Sequence, residues 1–123
     1  MSPEPGTRTA LVVDDDATVC DMAARILERD GYTVRIAYDG VQAWDEIKRD
    51  PPSVVLTDFL MPRMDGLELA DRLLGEPRRL PIVIMSGVYE GVAIPGVHFL
   101  RKPFRPDELT DTVSRALAEV ANR

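Results

Sequence analysis

The sequence lacks several features that would point to particular classes of protein. It contains one cysteine, Cys20, so neither an internal disulfide nor a cluster of cysteine metal ligands can form. It has no apolar run of about 20 residues, the length needed to cross a membrane. Its opening stretch also lacks the apolar segment of a signal peptide. These absences lead us to expect a cytoplasmic protein that contacts no membrane.

Clustered basic residues are also scarce. Fifteen Lys and Arg residues against 21 Asp and Glu residues give a formal net charge of -6. A nucleic-acid surface needs clustered basic side chains to neutralise phosphates, and Arg78 with Arg79 is the nearest approach to one. We therefore expect no nucleic-acid partner. The 123 residues suffice for one domain whose core needs no disulfide or structural metal.

Apolar runs and helical periodicities alternate along the chain. They predict strands at 10–13, 32–37, 54–57, 81–85 and 97–101, and helices at 17–29, from the Asp-Gly pair 39–40 to the prolines 51–52, at 67–74 and at 106–121. Three of the strands are apolar on both faces. This pattern indicates an α/β domain with a parallel sheet covered by helices on both sides. Residues 1–8, with two prolines and a glycine, are expected to form a flexible tail before a domain at 9–121.

Polar residues follow four of the predicted strands directly. In a parallel α/β sheet, ligands bind beyond the carboxyl ends of the strands. The residues expected at that edge are Asp14–Asp16, Asp58, Ser86 and Lys102. Asp16 suits the N-cap of the first helix, but capping does not explain the other carboxylates. Converging carboxylates repel one another unless a cation neutralises them, and oxygen ligands suit a hard divalent ion such as Mg2+ (or Mn2+).

A phosphoryl group would fit among these side chains. The metal and the ammonium of Lys102 would neutralise its oxygens, and the hydroxyl of Ser86 would hydrogen-bond one of them. Asp58 would then be the nucleophile that becomes an aspartyl phosphate, and no general base is needed because carboxylates are ionised at pH 7. The alternative for Lys102 is a plain salt bridge to the carboxylates in the resting protein.

Four segments resemble those of response-regulator receiver domains from two-component signalling. They are "LVVDDD", "VVLTDFLMPRMDG", "IVIMSG" and "FLRKPF", they occur in the family's order, and the resemblance covers residues 9–121. It implies a flavodoxin-like doubly wound sheet of five parallel strands in the order 2-1-3-4-5. It further implies a bacterial phosphoprotein that acts as a signalling switch and not as a metabolic enzyme.

The resemblance also assigns roles to individual residues. Asp14 and Asp15 would hold the Mg2+, Asp58 would accept the phosphoryl group and touch the metal, and the backbone carbonyl of Leu60 would be a further metal ligand. The catalytic pair beside the acceptor would be Ser86 and Lys102, the switch pair would be Ser86 and Phe99, and the bond before Pro103 would be cis. Asp58 would receive phosphate from a histidine kinase or a histidine phosphotransfer protein. The signal would leave through a downstream protein target or a fused domain.

Two other interpretations remain open. The stretch "DDDATV" also resembles the first motif of haloacid-dehalogenase phosphohydrolases, in which Asp14 would be the nucleophile. That interpretation leaves "TDFLMPRMDG" unexplained. The other is a degenerate receiver that acts only as a binding module, although such domains usually lack an acidic, acceptor or lysine position that is present here.

The sequence departs from the usual receiver pattern after Ser86. At most residues 88–94 could be helical there, with Gly91 in the middle, so we expect the family's fourth helix to be very short, distorted or absent. Such a segment resembles receivers associated with hybrid histidine kinases. Leu60 and Val88 would flank the acceptor, and neither side chain can orient an attacking water, which predicts slow self-hydrolysis of the phosphoryl group.

Overall fold

The computed structural model describes residues 8–87 and 93–121, and these ranges contain five strands and four helices. The elements are β1 (Arg8–Val13), α1 (Ala17–Arg29), β2 (Tyr32–Ala37), α2 (Gly40–Arg49), β3 (Val54–Asp58), α3 (Gly66–Leu74), β4 (Ile82–Ser86), β5 (Val97–Arg101) and α4 (Pro106–Ala121). Strand β1 begins two residues before the predicted strand, so Arg8 belongs to the sheet and not to the expected tail.

All five strands run parallel in one sheet, in the order β2-β1-β3-β4-β5. This confirms the flavodoxin-like order. The last residue of β1, Val13, pairs with Thr57 of β3. Because these two strands are neighbours that run in the same direction, the residues that follow them emerge side by side at the carboxyl edge of the sheet.

The sheet is covered on both faces, which explains why its strands are continuously apolar. Alternate residues of β1 point to opposite faces, so Ala10 and Val12 join one buried cluster and Leu11 and Val13 join the other. Side chains of α1 and α4 complete the first cluster, and side chains of α2 and α3 complete the second. The helices thus fix the central strands, and with them the edge at which the polar residues lie.

Three helices begin at aspartates that cap them. The side chains of Asp16, Asp39 and Asp65 accept backbone N–H groups of the first turns of α1, α2 and α3 at 2.9, 2.8 and 2.8 Å. Such caps satisfy donors that a helix start leaves unpaired. Capping therefore accounts for Asp16 in the acidic run, as predicted, and leaves Asp14 and Asp15 for another purpose.

Two side chains lie farther from the core than the helical periodicity suggests. Met22 in α1 falls at the border of the apolar face and is 43% exposed. Trp44 in α2 is half-buried against the second cluster, and its ring lies 5.2 Å from the ammonium of Lys48 and 5.7 Å from the guanidinium of Arg72. Trp44 thus joins α2 to α3 at the surface of the domain.

The expected loss of a helix between β4 and β5 is tested in part. Residues 88–92 lie outside the described residues, and residues 93–96 contain no helix. Of the four helices in the described ranges, none is long and apolar enough to cross a membrane.

Candidate functional site

Asp14 and Asp58 meet at the carboxyl edge because they end neighbouring strands. Asp14 follows β1 directly, its backbone N–H donates to the carbonyl of Ala37 at 3.1 Å, and its side chain is 1% exposed. Its Oδ1 accepts the backbone N–H of Asp16 at 2.9 Å. The Asp58 side chain, at the end of β3, is 15% exposed. The two carboxylates therefore differ: one is sealed in the protein, and the other remains open to solvent.

Lys102 follows β5, the strand at one side of the sheet, and its side chain reaches the two carboxylates along the carboxyl edge. Its Nζ donates to Oδ2 of Asp14 at 2.9 Å and to Oδ1 of Asp58 at 3.0 Å. Its backbone N–H donates to the carbonyl of Ser86 at 2.9 Å, which continues the pairing of β4 with β5. The bond between Lys102 and Pro103 is cis. The salt bridge expected for the resting protein is thus present.

The electrostatics of the cluster favour a cation. Burial, together with the negative charge of Asp58, raises the pKa of Asp14, although the N–H of Asp16 and the ammonium of Lys102 act in the opposite direction. Burial alone lowers the pKa of Lys102, but its hydrogen bonds to Asp14 and Asp58 outweigh that effect, so the pKa is raised. Lys102 therefore carries its charge at neutral pH, while the buried carboxylate is incompletely compensated.

Three carboxylates are close enough to share one ion. Asp14, Asp15 and Asp58 each offer an oxygen, and these oxygens lie within 4.8 Å of one another. No other group of this kind occurs among the residues that the structure describes. Asp15 is exposed, so a ligand could approach from solvent. Oxygen donors alone, two of them partly or fully buried, fit a hard divalent cation such as Mg2+.

The other predicted site residues lie at different depths in the domain. Ser86 ends β4 and is buried, whereas Leu60 follows the acceptor strand with its side chain 59% exposed. Phe99 lies in β5 opposite Ile84 of β4 and packs, half-buried, against the second cluster. Val88, the second residue expected to flank the acceptor, lies outside the described residues. The strand ends thus bring together Asp14, Asp15, Asp58, Ser86 and Lys102, and Phe99 packs on one sheet face away from them.

Gly66 supports the acceptor in a way that sequence reasoning did not identify. A Cβ at this position would overlap the carbonyl oxygen of Asp58 and lie 3.2 Å from the Cα of Phe59. The N–H of Gly66 donates to the carbonyl of Phe59 at 2.8 Å. The start of α3 therefore packs directly on the backbone of the acceptor strand. The glycine of the "MDG" segment is the sequence signal that could have revealed this contact.

Cys20, in α1, contacts the backbone of the site at Asp14. Its thiol donates to the backbone carbonyl of Asp14 at 3.3 Å, and the residue is fully buried. Burial, followed by the negative charge of Asp14, raises the pKa of the thiol to about 11. The thiol therefore stays protonated and acts as a small packed donor, a role that no sequence pattern indicated.

Comparison with known proteins extends these observations. The family model described as "Response regulator receiver domain" matches residues 10–114. The response regulator MprA of Mycobacterium tuberculosis is 42% identical over 105 residues, which cover 80% of this chain and 46% of MprA. The chain spans about half the length of the curated relatives it matches.

Solved structures agree in fold. The receiver domain of a signal transduction histidine kinase from Syntrophus aciditrophicus has a TM-score of 0.82 and 26% identity, and the match covers 94% of each chain. The chemotaxis response regulator CheY4 of Vibrio cholerae has a TM-score of 0.79 and 25% identity over 89% of this chain and 98% of that one.

Proposed function

The chain belongs to the response regulator receiver domain family of two-component signalling, and on that premise we propose that Asp58 accepts a phosphoryl group. The observation that carries the proposal is the position of Lys102, whose ammonium contacts both Asp14 and Asp58 at the edge where three carboxylates meet. A cation held against an accessible carboxylate is what an incoming phosphoryl group requires, since its oxygens are negatively charged.

Asp58 is better placed than Asp14 to be the nucleophile. Its side chain is 15% exposed, against 1% for Asp14, whose two oxygens are held by Lys102 and by the N–H of Asp16. A donor molecule can therefore reach Asp58 and not Asp14. This difference disfavours the phosphohydrolase interpretation, which needs Asp14 to attack.

The reaction is a transfer of one phosphoryl group from a phosphohistidine. An oxygen of Asp58 forms a bond to phosphorus while the nitrogen–phosphorus bond of the donor breaks, and the electron pair of that bond stays on the imidazole. Lys102 lies 3.0 Å from one oxygen of Asp58. When the carboxylate loses its charge on forming the aspartyl phosphate, the ammonium can donate to a charged phosphoryl oxygen instead. The buried hydroxyl of Ser86 would then hydrogen-bond the same group.

Asp14, Asp15 and Asp58 would hold Mg2+ (or Mn2+), with the backbone carbonyl of Leu60 as a further ligand. The ion, when bound, neutralises charge on the phosphoryl oxygens and brings donor and acceptor together. Asp14 contributes a fixed position, because Lys102 and the N–H of Asp16 orient its two oxygens. Asp15 is exposed and completes the donor set at the solvent side.

The phosphorylated protein would act as a switch and not as a metabolic enzyme. Ser86 pairs with Arg101 across β4 and β5, and Phe99 pairs with Ile84 two residues earlier. A shift of Ser86 toward the phosphoryl group would therefore move the same two strands that hold Phe99 and change its burial, which is a population shift between two packings. We propose a histidine kinase or histidine phosphotransfer protein as the donor, a downstream protein or fused domain as the recipient, and a bacterial cytoplasm as the setting.

The proposal is tested by intact-mass spectrometry after incubation with Mg2+ and acetyl phosphate, or with a phosphorylated histidine kinase. We expect the mass of one added phosphoryl group in the wild-type protein and none in Asp58→Asn. Asp45→Asn, which removes an exposed carboxylate from α2, is the matched control and should still be phosphorylated.

Two outcomes would overturn the proposal. Phosphate that persists on Asp58→Asn but disappears from Asp14→Asn would support the phosphohydrolase chemistry instead. A wild-type protein that takes up no phosphate from either donor would support the degenerate binding module.

A further inference from the structure

The segment between β3 and α3, residues 59–65, is called the acceptor loop here because it follows Asp58 and contains Leu60. It folds back on its own start, since the N–H of Gly66 donates to the carbonyl of Phe59 at 2.8 Å. Arg63 in this loop has a φ of 73°, a left-handed conformation that few residues other than glycine adopt. A loop with such a residue needs contacts from outside to hold it in one shape.

The first turn of α2 supplies one of these contacts. A Cβ added to the buried Gly40 would overlap the carbonyl oxygen of Met64 and lie 2.6 Å from the Cβ of Met64. Only glycine allows the helix and the loop to approach this closely. Glycine is a poorer helix former than alanine, so Gly40 favours the contact with the loop at the expense of α2 itself.

Asp39 supplies the second contact with its other oxygen. Its Oδ1 accepts the N–H of Gln42 at 2.8 Å and caps α2, while its Oδ2 lies 3.4 Å from Nη1 of Arg63. The Asp39 side chain is 19% exposed, so one partner of this ion pair is largely withdrawn from solvent. Asp39 thus links the start of α2 to the residue whose backbone is strained.

We propose that Asp39 and Gly40 are positioning residues that set the Mg2+ affinity of the site by holding the acceptor loop through Arg63 and Met64. The inference rests on the proposed function, in which the carbonyl of Leu60 is a metal ligand. Met64 and Arg63 lie three to four residues after Leu60 in the same short loop, so a displacement there changes where that carbonyl points. Asp39 and Gly40 themselves are not among the proposed Mg2+ ligands and would act on the ion only through the loop.

The first experiment is Gly40→Ala, with Mg2+ affinity measured by calorimetry. The helix gains from this change, but the added methyl must push Met64 away, as overpacking does in a core. We expect Mg2+ to bind between about fivefold and a hundredfold more weakly. Amide exchange of Met64 and Gly66 should quicken while amides of β1 keep their rates. Gly75→Ala is the control, because a Cβ there meets only the Arg72 and Asp71 carbonyls at the ordinary contact distances of 3.5 and 3.7 Å.

The second experiment isolates the ion pair. Asp39→Asn keeps the cap on α2 but removes the charge, and Arg63→Gln keeps a side chain with the same backbone preference. We expect each to weaken Mg2+ binding by between about twofold and fivefold, the upper end being the most that a partly exposed ion pair contributes. The double variant should bind Mg2+ as either single variant does, because both changes remove one interaction.

The outcomes separate this inference from the proposed function. A wild-type protein that binds Mg2+ while the three single variants stay within about twofold of it would overturn the inference alone. A wild-type protein that binds no Mg2+ would overturn both. If Gly40→Ala does not fold, Asp39→Asn and Arg63→Gln decide the question, and additive losses in the double variant would count against the ion pair as the link.

Discussion

The ammonium of Lys102 lies 2.9 Å from an oxygen of Asp14, a carboxylate that is almost completely buried. The pair joins the end of β5 to the end of β1, although two strands of the sheet lie between them. A buried carboxylate is stabilised only while a cation stays beside it. We therefore expect the resting protein to depend on Lys102 for stability at the same point where the proposed chemistry needs it.

Removal of this lysine should destabilise the protein. We expect Lys102→Met to lower the free energy of unfolding by about 1–3 kcal/mol, since Asp14 is left buried without its partner. Mg2+ should restore more stability to this variant than to the wild type. Urea unfolding with and without Mg2+ measures both effects. Lys48→Met, which breaks a surface pair with Glu76, is the control and should change stability by no more than about 1 kcal/mol; an equal loss in both variants would contradict the argument.

The close approach of Gly66 to the acceptor strand should not tolerate a methyl group. Gly66→Ala places a Cβ against the carbonyl of Asp58, and we expect stability to fall by about 1–3 kcal/mol with a loss of phosphorylation. Thermal unfolding and intact mass are the measurements. Gly75→Ala, where a Cβ makes only ordinary contacts and φ is -79°, should stay within about 0.5 kcal/mol. Full phosphorylation of Gly66→Ala would show that the contact is dispensable.

Cys20 should resist thiol reagents in the folded protein. The thiol is fully buried, and its pKa of about 11 leaves little thiolate at neutral pH. A chromogenic disulfide reagent should therefore react only as fast as the protein opens, and at full speed in denaturant. Because the chain has one cysteine, the signal reports this residue alone. Rapid labelling of the native protein would place the thiol at the surface and contradict the described packing.

The phosphoryl group on Asp58 should be long-lived. Leu60 is exposed next to the acceptor and cannot orient a water molecule, so Leu60→Gln should speed dephosphorylation by up to about a hundredfold. The measurement is loss of label from purified phosphoprotein. The control is Leu74→Gln, which changes an exposed leucine at the end of α3 and should leave the rate unchanged. Equal rates in wild type and Leu60→Gln would show that this side chain does not limit hydrolysis.

Local chemistry explains most of what the sequence revealed. Asp16 caps α1 as predicted, and continuous apolar runs identified a parallel sheet with both faces covered. The order of the strands came from family resemblance, because periodicity alone cannot say which strands are neighbours. Once that order is given, the meeting of Asp14 with Asp58 follows from the end positions of β1 and β3.

Features that depend on three-dimensional packing were beyond the sequence. The run of three aspartates does not say which one is buried, yet Asp14 is sealed while Asp15 is exposed. Helical spacing placed Met22 toward the core, but the apolar face of α1 ends beside it. The approach of Gly40 to Met64 joins residues 24 positions apart, and no local pattern encodes it.

The arrangement around Lys102 has a mechanical consequence for the sheet. β4 lies between β3 and β5, so the Lys102 side chain extends past a whole strand to bind Asp58 at the end of β3. The ion pair thus ties the outermost strand of the sheet to a central one. A phosphoryl group on Asp58, as proposed, would compete for the Lys102 ammonium, and loss of the ion pairs would allow β5 to shift. A partner bound at β5 would in this way respond to phosphorylation of Asp58 without contacting the phosphoryl group.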